Sequence, residues 1–423
     1  MGDRLRVLSV SSADTFGGAA RAAYRIHCAV KDMGIESTML VKYKGSNDAD
    51  VLAVESFLPN NPFWQAYYWA LNKYKNKKQH FEWRTYTNCS KYLLSDLRST
   101  DIHGALRKLD YDILHLHWIN QRFIPLEELP KDKPMVWTLH DSWPFCGVCH
   151  LPMECRRYQQ ECGCCPALGS GDKRDLSYKV WKRKAEIYKQ LDLHIVAPSR
   201  WMADCARKSS LFGDCDIRVI PNCIDVDVFC PGDRVEACRQ LHLDAEKRFI
   251  LFAAMNAVKD KNKGFDFLIS ALNSMGEELA EDMELVVLGT SDTLPEEIGG
   301  LRVRSLGLLR SMSEMVSAYR VASVTVVPSL SENLSCTVME SMSCGTPVIA
   351  FDIGGNGDMI DHQINGYLAK GMDSAELAEG ICWCLDNNKS GDLSAKARWK
   401  ILERFTPEIV ASQYSLLYRG LER

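Results

Sequence analysis

Two parallel α/β sheets, one in each half of the chain, are what the sequence predicts. Three observations carry that expectation. The chain has 423 residues, long for a single core. Short apolar runs alternate with amphipathic segments in both halves. A polar join, twice broken by proline at Pro221 and Pro231, separates the halves.

The first half offers strands over 5–10, 37–41, 113–117, 135–139 and 193–197. The second offers 249–253, 284–288, 324–327 and 348–351, with helical spacing between them, for instance over 265–273 and 312–319. Strands separated by helices pair in parallel through crossovers. In open sheets of this kind a ligand sits beyond the carboxyl ends of the strands. Two such domains facing one another would make a cleft. The boundary falls at residue 220, giving domains over 1–220 and 221–405.

Composition narrows the function classes. The chain is 46% hydrophobic and 25% charged with a formal net charge of -4, so it lacks the basic excess expected of a nucleic-acid binder. The apolar stretch near the N-terminus is too brief for a signal peptide, and no run approaches the length of a membrane span. Seventeen cysteines, odd in number and scattered, fit a reducing cytoplasm better than a disulfide framework.

The segment from Val327 through Glu332 to Glu340 ends a strand, turns and opens a helix, with one carboxylate at each edge of the turn. The amides of Asn333, Leu334 and Ser335 are expected to lie unpaired at the positive end of the helix dipole. That suits an anionic ligand with hydroxyls on either side, of which a nucleotide diphosphate-sugar is one. An ordinary strand-to-helix connection with solvated glutamates reads the same way. Lys259, Lys261 and Lys263 precede Gly264 just after a strand, where a lysine can neutralise a diphosphate. A plain solvated loop also looks like this. The first strand-to-helix turn carries Gly17 and Gly18, which let backbone approach a ligand or simply make a tight turn. His140 and Asp141 end another strand, placed for a ligand or bonded within their own loop.

Cysteines cluster at 146, 149, 155, 162, 164 and 165. Cys149, Cys155, Cys162 and Cys165 could close a tetrahedral thiolate site around a structural zinc, with Cys146 and Cys164 as spares and His150 able to replace one thiolate. Redox-labile, disulfide-paired or unpaired thiols are the other readings. Trp64, Tyr67, Tyr68, Leu71 and Tyr74 share a helical face, and Lys73, Lys75, Lys77 and Lys78 crowd its end. This fits an interfacial helix on anionic lipid, or a helix packed on the sheet with a basic tip.

Taken together, these motifs make the chain resemble the retaining glycosyltransferases of family 4. The resemblance rests on Glu332-x7-Glu340 within Pro328, Ser329 and Gly345-Thr346-Pro347. Gly17-Gly18, Lys263-Gly264, Pro198-Ser199 and Ile220-Pro221-Asn222 support it. Thr138-Leu139-His140-Asp141, with the cysteine loop ending Cys165-Pro166-Ala167-Leu168, looks like a bacterial branch making colanic-acid-type exopolysaccharides and other surface glycans.

The resemblance implies the GT-B fold, two doubly wound Rossmann-like domains facing a cleft. A terminal helix over 406–423 would pack back toward the first domain. It implies that Glu340 binds the ribose hydroxyls, Glu332 faces the donor sugar with Asn333–Ser335 near sugar and phosphate, and Lys263 contacts the diphosphate. Gly17 and Gly18 would admit that diphosphate, and His140 would reach the sugar. Transfer would proceed with retention and without a divalent ion or other cofactor, from a UDP- or GDP-sugar to an oligosaccharide or polyprenyl-linked glycan, at or near the inner membrane face.

The chain departs from the family pattern in three places. Where many relatives carry an arginine, 255–259 offers Lys259 from a different angle. Asn333-Leu334-Ser335 replaces a glycine-rich segment, and Cys223 replaces a glycine. An epimerase or phosphorylase on the same frame, or a non-catalytic sugar-nucleotide-binding module, are the alternative functions.

Overall fold

The computed structural model describes residues 5–57, 61, 63, 66, 67, 70, 73, 74, 86, 103–120, 123–256, 258–276, 282–309 and 311–422. The chain divides into two compact units, Met1–Asn222 with Val410–Arg423, and Cys223–Ile409.

The first unit is built on strands β1 (Arg6–Ala13), β2 (Glu36–Tyr43), β3 (Val51–Ala53), β4 (Ile113–Leu116), β5 (Pro134–Thr138), β6 (Asp192–Ala197) and β7 (Ile217–Val219). They form one seven-stranded sheet in the order β3-β2-β1-β4-β5-β6-β7, parallel throughout. Central strands β4 and β5 are buried along their whole length, as expected when helices cover both faces. The order reverses direction between β1 and β4, which makes that edge the natural ligand crevice of this sheet.

The second unit contains β8 (Arg248–Ala253), β9 (Met283–Leu288), β10 (Glu297–Ile298), β11 (Leu301–Gly307), β12 (Ala322–Val327), β13 (Val348–Phe351) and β14 (Tyr367–Ala369). Its sheet runs β10-β11-β9-β8-β12-β13-β14, parallel except for the β10–β11 hairpin. Here the switch falls between β8 and β12. Two apolar clusters sandwich the sheet, one around Leu251, Val286 and Val338 and the other around Ile250, Val287 and Ile349. Neighbouring residues of β8, Ile250 and Leu251, enter opposite clusters, as a pleated strand requires.

The strands expected from the sequence are present with bounds moved by a few residues, so each half is the doubly wound α/β sheet that the apolar runs implied. Strands β3, β7, β10, β11 and β14 were not foreseen. Four of them are very short, and β11 carries Arg302, Arg304 and Ser305 among its apolar positions. The aromatic and lysine-rich segment over 62–78 falls largely outside the described residues, including Trp64, Tyr68 and Leu71, while Tyr67 and Tyr74 are exposed. Among the described residues no helix is long and apolar enough to cross a membrane.

The last helix, Pro407–Arg419, belongs to the first unit from Val410 onward. Tyr414 and Tyr418, one turn apart, place both hydroxyls on buried polar groups of that unit's sheet. Tyr414 Oη lies 2.9 Å from Thr138 Oγ1 and Tyr418 Oη lies 2.7 Å from His115 Nδ1. His115 Nε2 in turn meets Thr138 Oγ1 at 2.8 Å. Replacing Tyr418 with Phe would leave a fully buried imidazole nitrogen without its partner. The expected loss is about 1–3 kcal/mol of stability, read as a lower urea midpoint with unchanged slope.

Candidate functional site

At the β8/β12 switch of the second unit, β12 ends at Val327 and the chain crosses 328–335 to reach the helix Cys336–Ser343. Beside it, the short 3-10 turn Lys261–Lys263 leads through Gly264 into the helix Phe265–Met275. Two hydrogen bonds lock these segments together. The Leu330 N–H donates to the Asn262 carbonyl at 2.8 Å, and the Asn262 side-chain amide donates to the Ser331 carbonyl at 2.9 Å.

The approach is closest at two glycines. Gly264 has φ +70, and a Cβ there would stand 1.8 Å from the Pro328 carbonyl oxygen. Gly354 has φ +55, and its Cβ would stand 1.7 Å from the Glu332 carbonyl oxygen. Both positions exclude a side chain on contact as well as on backbone angle.

The clamp sets Lys263 against Glu332. Their charged atoms are 2.6 Å apart, with side-chain exposures of 26% and 18%. The Glu332 charge, outweighing desolvation, holds the Lys263 ammonium above the usual lysine range. Glu340 lies inside the next helix and is almost fully buried. The Tyr319 hydroxyl, from the helix Met312–Val321, donates to Glu340 Oε2 at 3.0 Å. Sequence reasoning missed Tyr319, because its helical periodicity reads as core packing.

Two expected placements differ. Asn333, Leu334 and Ser335 precede the helix instead of forming its first turn. Ser335 is the N-cap, its hydroxyl accepting from the Val338 N–H at 3.4 Å, and Leu334 is buried in the core. The first helical amides are therefore those of Cys336 and Thr337. Lys259 is directed to Asp292, 2.5 Å away, with 73% of its side chain exposed. The structure thus brings Lys263 to Glu332 and leaves Lys259 on a separate surface pair.

In the first unit, Gly17 is the N-cap of the helix Gly18–Asp32, with φ 91 and ψ 161. Nothing lies within 4 Å of where its Cβ would be, so only the backbone angle demands glycine there. His140 follows β5, and its Nε2 lies 3.0 Å from His117 Nδ1 just after β4. Burial pushes the His140 pKa down to about 4, despite Asp141 beside it, so the ring is neutral at neutral pH.

Asp141 accepts from Trp118 Nε1 at 2.6 Å and from the Trp143 N–H at 2.9 Å, and it meets His150 Nδ1 at 2.6 Å. These bonds outweigh burial and hold its carboxyl below the usual range. His117 and Trp118 were not singled out as site residues, and His150 was considered only as a substitute metal ligand. The alternation in Leu114-His115-Leu116-His117-Trp118 was the available signal, a polar histidine repeating along one face of an otherwise apolar strand.

Cys149, Cys155, Cys162 and Cys165 come together with Cys146 around one small pocket in the loop after β5. Cys146, Cys149, Cys155, Cys162, Cys164 and Cys165 are all free thiols. Among the described residues no three thiol, imidazole or carboxylate side chains already stand around a centre that could hold a metal ion, so the expected zinc site is not formed in this conformation.

Known proteins share both halves. Residues 16–228 match the family described as Glycosyltransferase Family 4, and residues 246–387 match Glycosyl transferases group 1. A phosphatidyl-myo-inositol mannosyltransferase of Mycobacterium leprae is 24% identical over 330 residues, 76% of this chain and 77% of that protein. An Escherichia coli protein, WcaC, described as a colanic acid biosynthesis glycosyl transferase, is 30% identical. That match spans 128 residues, 28% of this chain and only 31% of the relative.

Among solved structures, sucrose-phosphate synthase from Thermosynechococcus elongatus aligns over 99% of both chains with TM-score 0.64 and 19% identity. Anabaena Alr3699/HepE in complex with UDP-glucose aligns over 99% of this chain and 100% of its own, with TM-score 0.63 and 15% identity. At such identities the likeness speaks for the fold, which is that of the GT-B glycosyltransferases.

The buried histidines set a pH dependence. His140 and His115 have pKa values lowered by burial to about 4 and about 3, from 6.5 in the unfolded chain. Below pH 6.5 the unfolded chain takes up protons that the folded chain refuses, so stability rises with pH across that window and is lost as pH falls toward 4. Thermal unfolding followed from pH 7 to pH 4 should show a continuous fall in Tm. A His140→Asn variant should show a shallower fall; an unchanged slope would mean that the imidazole is not buried neutral.

Proposed function

Because the chain belongs to glycosyltransferase family 4, we propose that it moves a glycosyl group from a nucleoside diphosphate-sugar to a glycan or lipid-linked glycan acceptor, with retention at the anomeric carbon. The observation that carries this reading is the Lys263–Glu332 pair fixed at the β8/β12 switch, with the buried Glu340 eight residues along the chain from Glu332. The group 1 match covers Lys263, Glu332 and Glu340, and the family 4 match covers Gly17, Gly18 and His140.

Each residue has chemistry suited to one part of the donor. The Lys263 ammonium can shift from Glu332 to the diphosphate and stabilise the charge that grows as the nucleotide leaves. Glu340, an acceptor-only carboxylate oriented by Tyr319, suits the paired hydroxyls of a ribose. Glu332 is assigned to the donor sugar. Gly17 and Gly18 supply backbone without side-chain bulk for the diphosphate, and neutral His140 offers a hydrogen bond to the sugar.

In the transfer, the bond from the anomeric carbon to the diphosphate oxygen breaks and a bond to the acceptor oxygen forms on the same face. The acceptor proton passes to the departing phosphate. Lysine rather than a divalent ion balances the leaving charge. The UDP and UDP-glucose complexes of the Anabaena protein make UDP-sugars the first donors to try, with GDP-sugars next. The partial WcaC match favours surface exopolysaccharide as the product class.

Calorimetry with UDP-, GDP- and ADP-sugars and the free diphosphates provides the test. One nucleotide should be preferred, and Lys263→Ala and Glu340→Ala should each weaken it about tenfold or more, the equivalent of about 1.4 kcal/mol. Binding indifferent to both changes would overturn the site. A lipid-linked acceptor adds a second expectation: anionic vesicles should retain the protein in flotation, and less so when Lys75, Lys77 and Lys78 are replaced by Gln. Equal flotation of both forms would remove the membrane role of that segment.

A further inference from the structure

We propose that the cysteine loop of the first unit is a structural metal site, in which Cys149, Cys155, Cys162 and Cys165 bind one thiophilic divalent ion, zinc by its donor set. The chain from the end of β5 at Thr138 to Asp175, which caps the helix Leu176–Tyr188, contains only the two short 3-10 turns Arg157–Gln159 and Pro166–Leu168. A loop this long inside a compact unit needs its own organising centre. Its apolar side chains Phe145, Val148, Tyr158 and Leu168 pack into the unit's core, and the pocket beside them is lined by the five thiols.

One of these sulfurs already accepts a backbone N–H. The Gly147 N–H donates to Cys162 Sγ at 3.2 Å. Cys165 opens the turn Pro166–Leu168. That turn is closed by the Leu168 N–H to the Cys165 carbonyl at 3.2 Å and ends at left-handed Gly169. Cys162-x2-Cys165 has the ligand spacing of a chelating pair.

A buried lysine adjoins the loop. Lys184 is fully enclosed, and its ammonium donates to the carbonyls of Trp143, Cys146 and Gly147, the last two at 2.9 and 3.1 Å. No carboxylate pairs with it among the described residues, and burial pushes its pKa down to about 7. Negative charge placed nearby would favour its charged form. Four thiolates on a divalent ion carry two net negative charges, and Gly147 joins the two groups by bonding Cys162 through its N–H and Lys184 through its carbonyl.

Closing the site requires the thiols to turn toward a common centre. Cys155 and Cys162, the two ligands that are only half-buried, have the most room to do so. Cys164 is excluded because its thiol is directed to the Gly171 carbonyl, 3.3 Å away. The metal would also fix His150, next to Cys149, and through it the Asp141 carboxylate.

The full chain, purified without chelator, should carry about one zinc by elemental analysis. Replacement by cobalt should give the intense thiolate-to-metal absorption of a tetrahedral sulfur site, a readout that needs no variant. Cys162→Ser and Cys165→Ser should lose the metal, Cys146→Ala and Cys164→Ser should keep it, and chelation should lower the Tm of the wild-type chain. Folded, metal-free protein with a Tm indifferent to chelator would overturn the proposal. So would a mapped disulfide between any two of the four cysteines, or loss of metal from Cys146→Ala or Cys164→Ser.

Discussion

The crossing from β12 to the following helix runs between Gly264 and Gly354, against backbone that leaves no space for a side chain. The strain of a left-handed angle in an ordinary residue is about 1–2 kcal/mol, which a stable domain can absorb. Carbonyl oxygens within 2 Å of a would-be Cβ, as at both glycines, cannot be absorbed without moving the backbone. At Gly17, where the space is open, only the smaller penalty applies. The contact, rather than the angle, therefore fixes the path of 328–335. That path brings Glu332 to Lys263, starts the next helix at Cys336, and so turns Glu340 inward to Tyr319.

The first unit achieves its own placement by a different device. Its sheet carries an unusually polar stretch where β4 and β5 end, with His115, His117, Thr138 and His140 close together. Tyr414 and Tyr418 satisfy part of that stretch from the last helix, and the Asp141 bonds to Trp118 and His150 anchor the loop beside it. Buried polar groups are costly unless paired, so this network ties the orientation of His140 to residues far along the chain. The same burial keeps the imidazoles neutral, which suits hydrogen bonding to uncharged hydroxyls better than ion pairing.

Much of this was legible in the sequence, and the failures have identifiable causes. The two sheets were visible because β4, β5, β8, β9, β12 and β13 are buried on both faces and read as apolar runs. Strand β11 escaped notice because arginines interrupt its apolar run, Arg302 exposed and Arg304 half-buried and paired to Glu284 at 2.8 Å. Lys263, Glu332 and Glu340 were legible as polar residues at strand and helix edges. Tyr319, His117 and the pairing of His150 with Asp141 were not, because a tyrosine or histidine that orients a carboxylate or imidazole has no local pattern of its own.

By itself, then, the sequence determined the alternation of strands and helices, the two-sheet architecture and the chemical types gathered at the strand ends. Those follow from periodicity and turn chemistry, which act over a few residues. Tertiary structure alone decided which groups meet. Lys263 and Glu332 lie 69 positions apart, and Thr138 and Tyr414 lie 276 apart. Contacts of that kind depend on strand order and on how closely backbones approach, and neither is encoded in any local stretch of the chain.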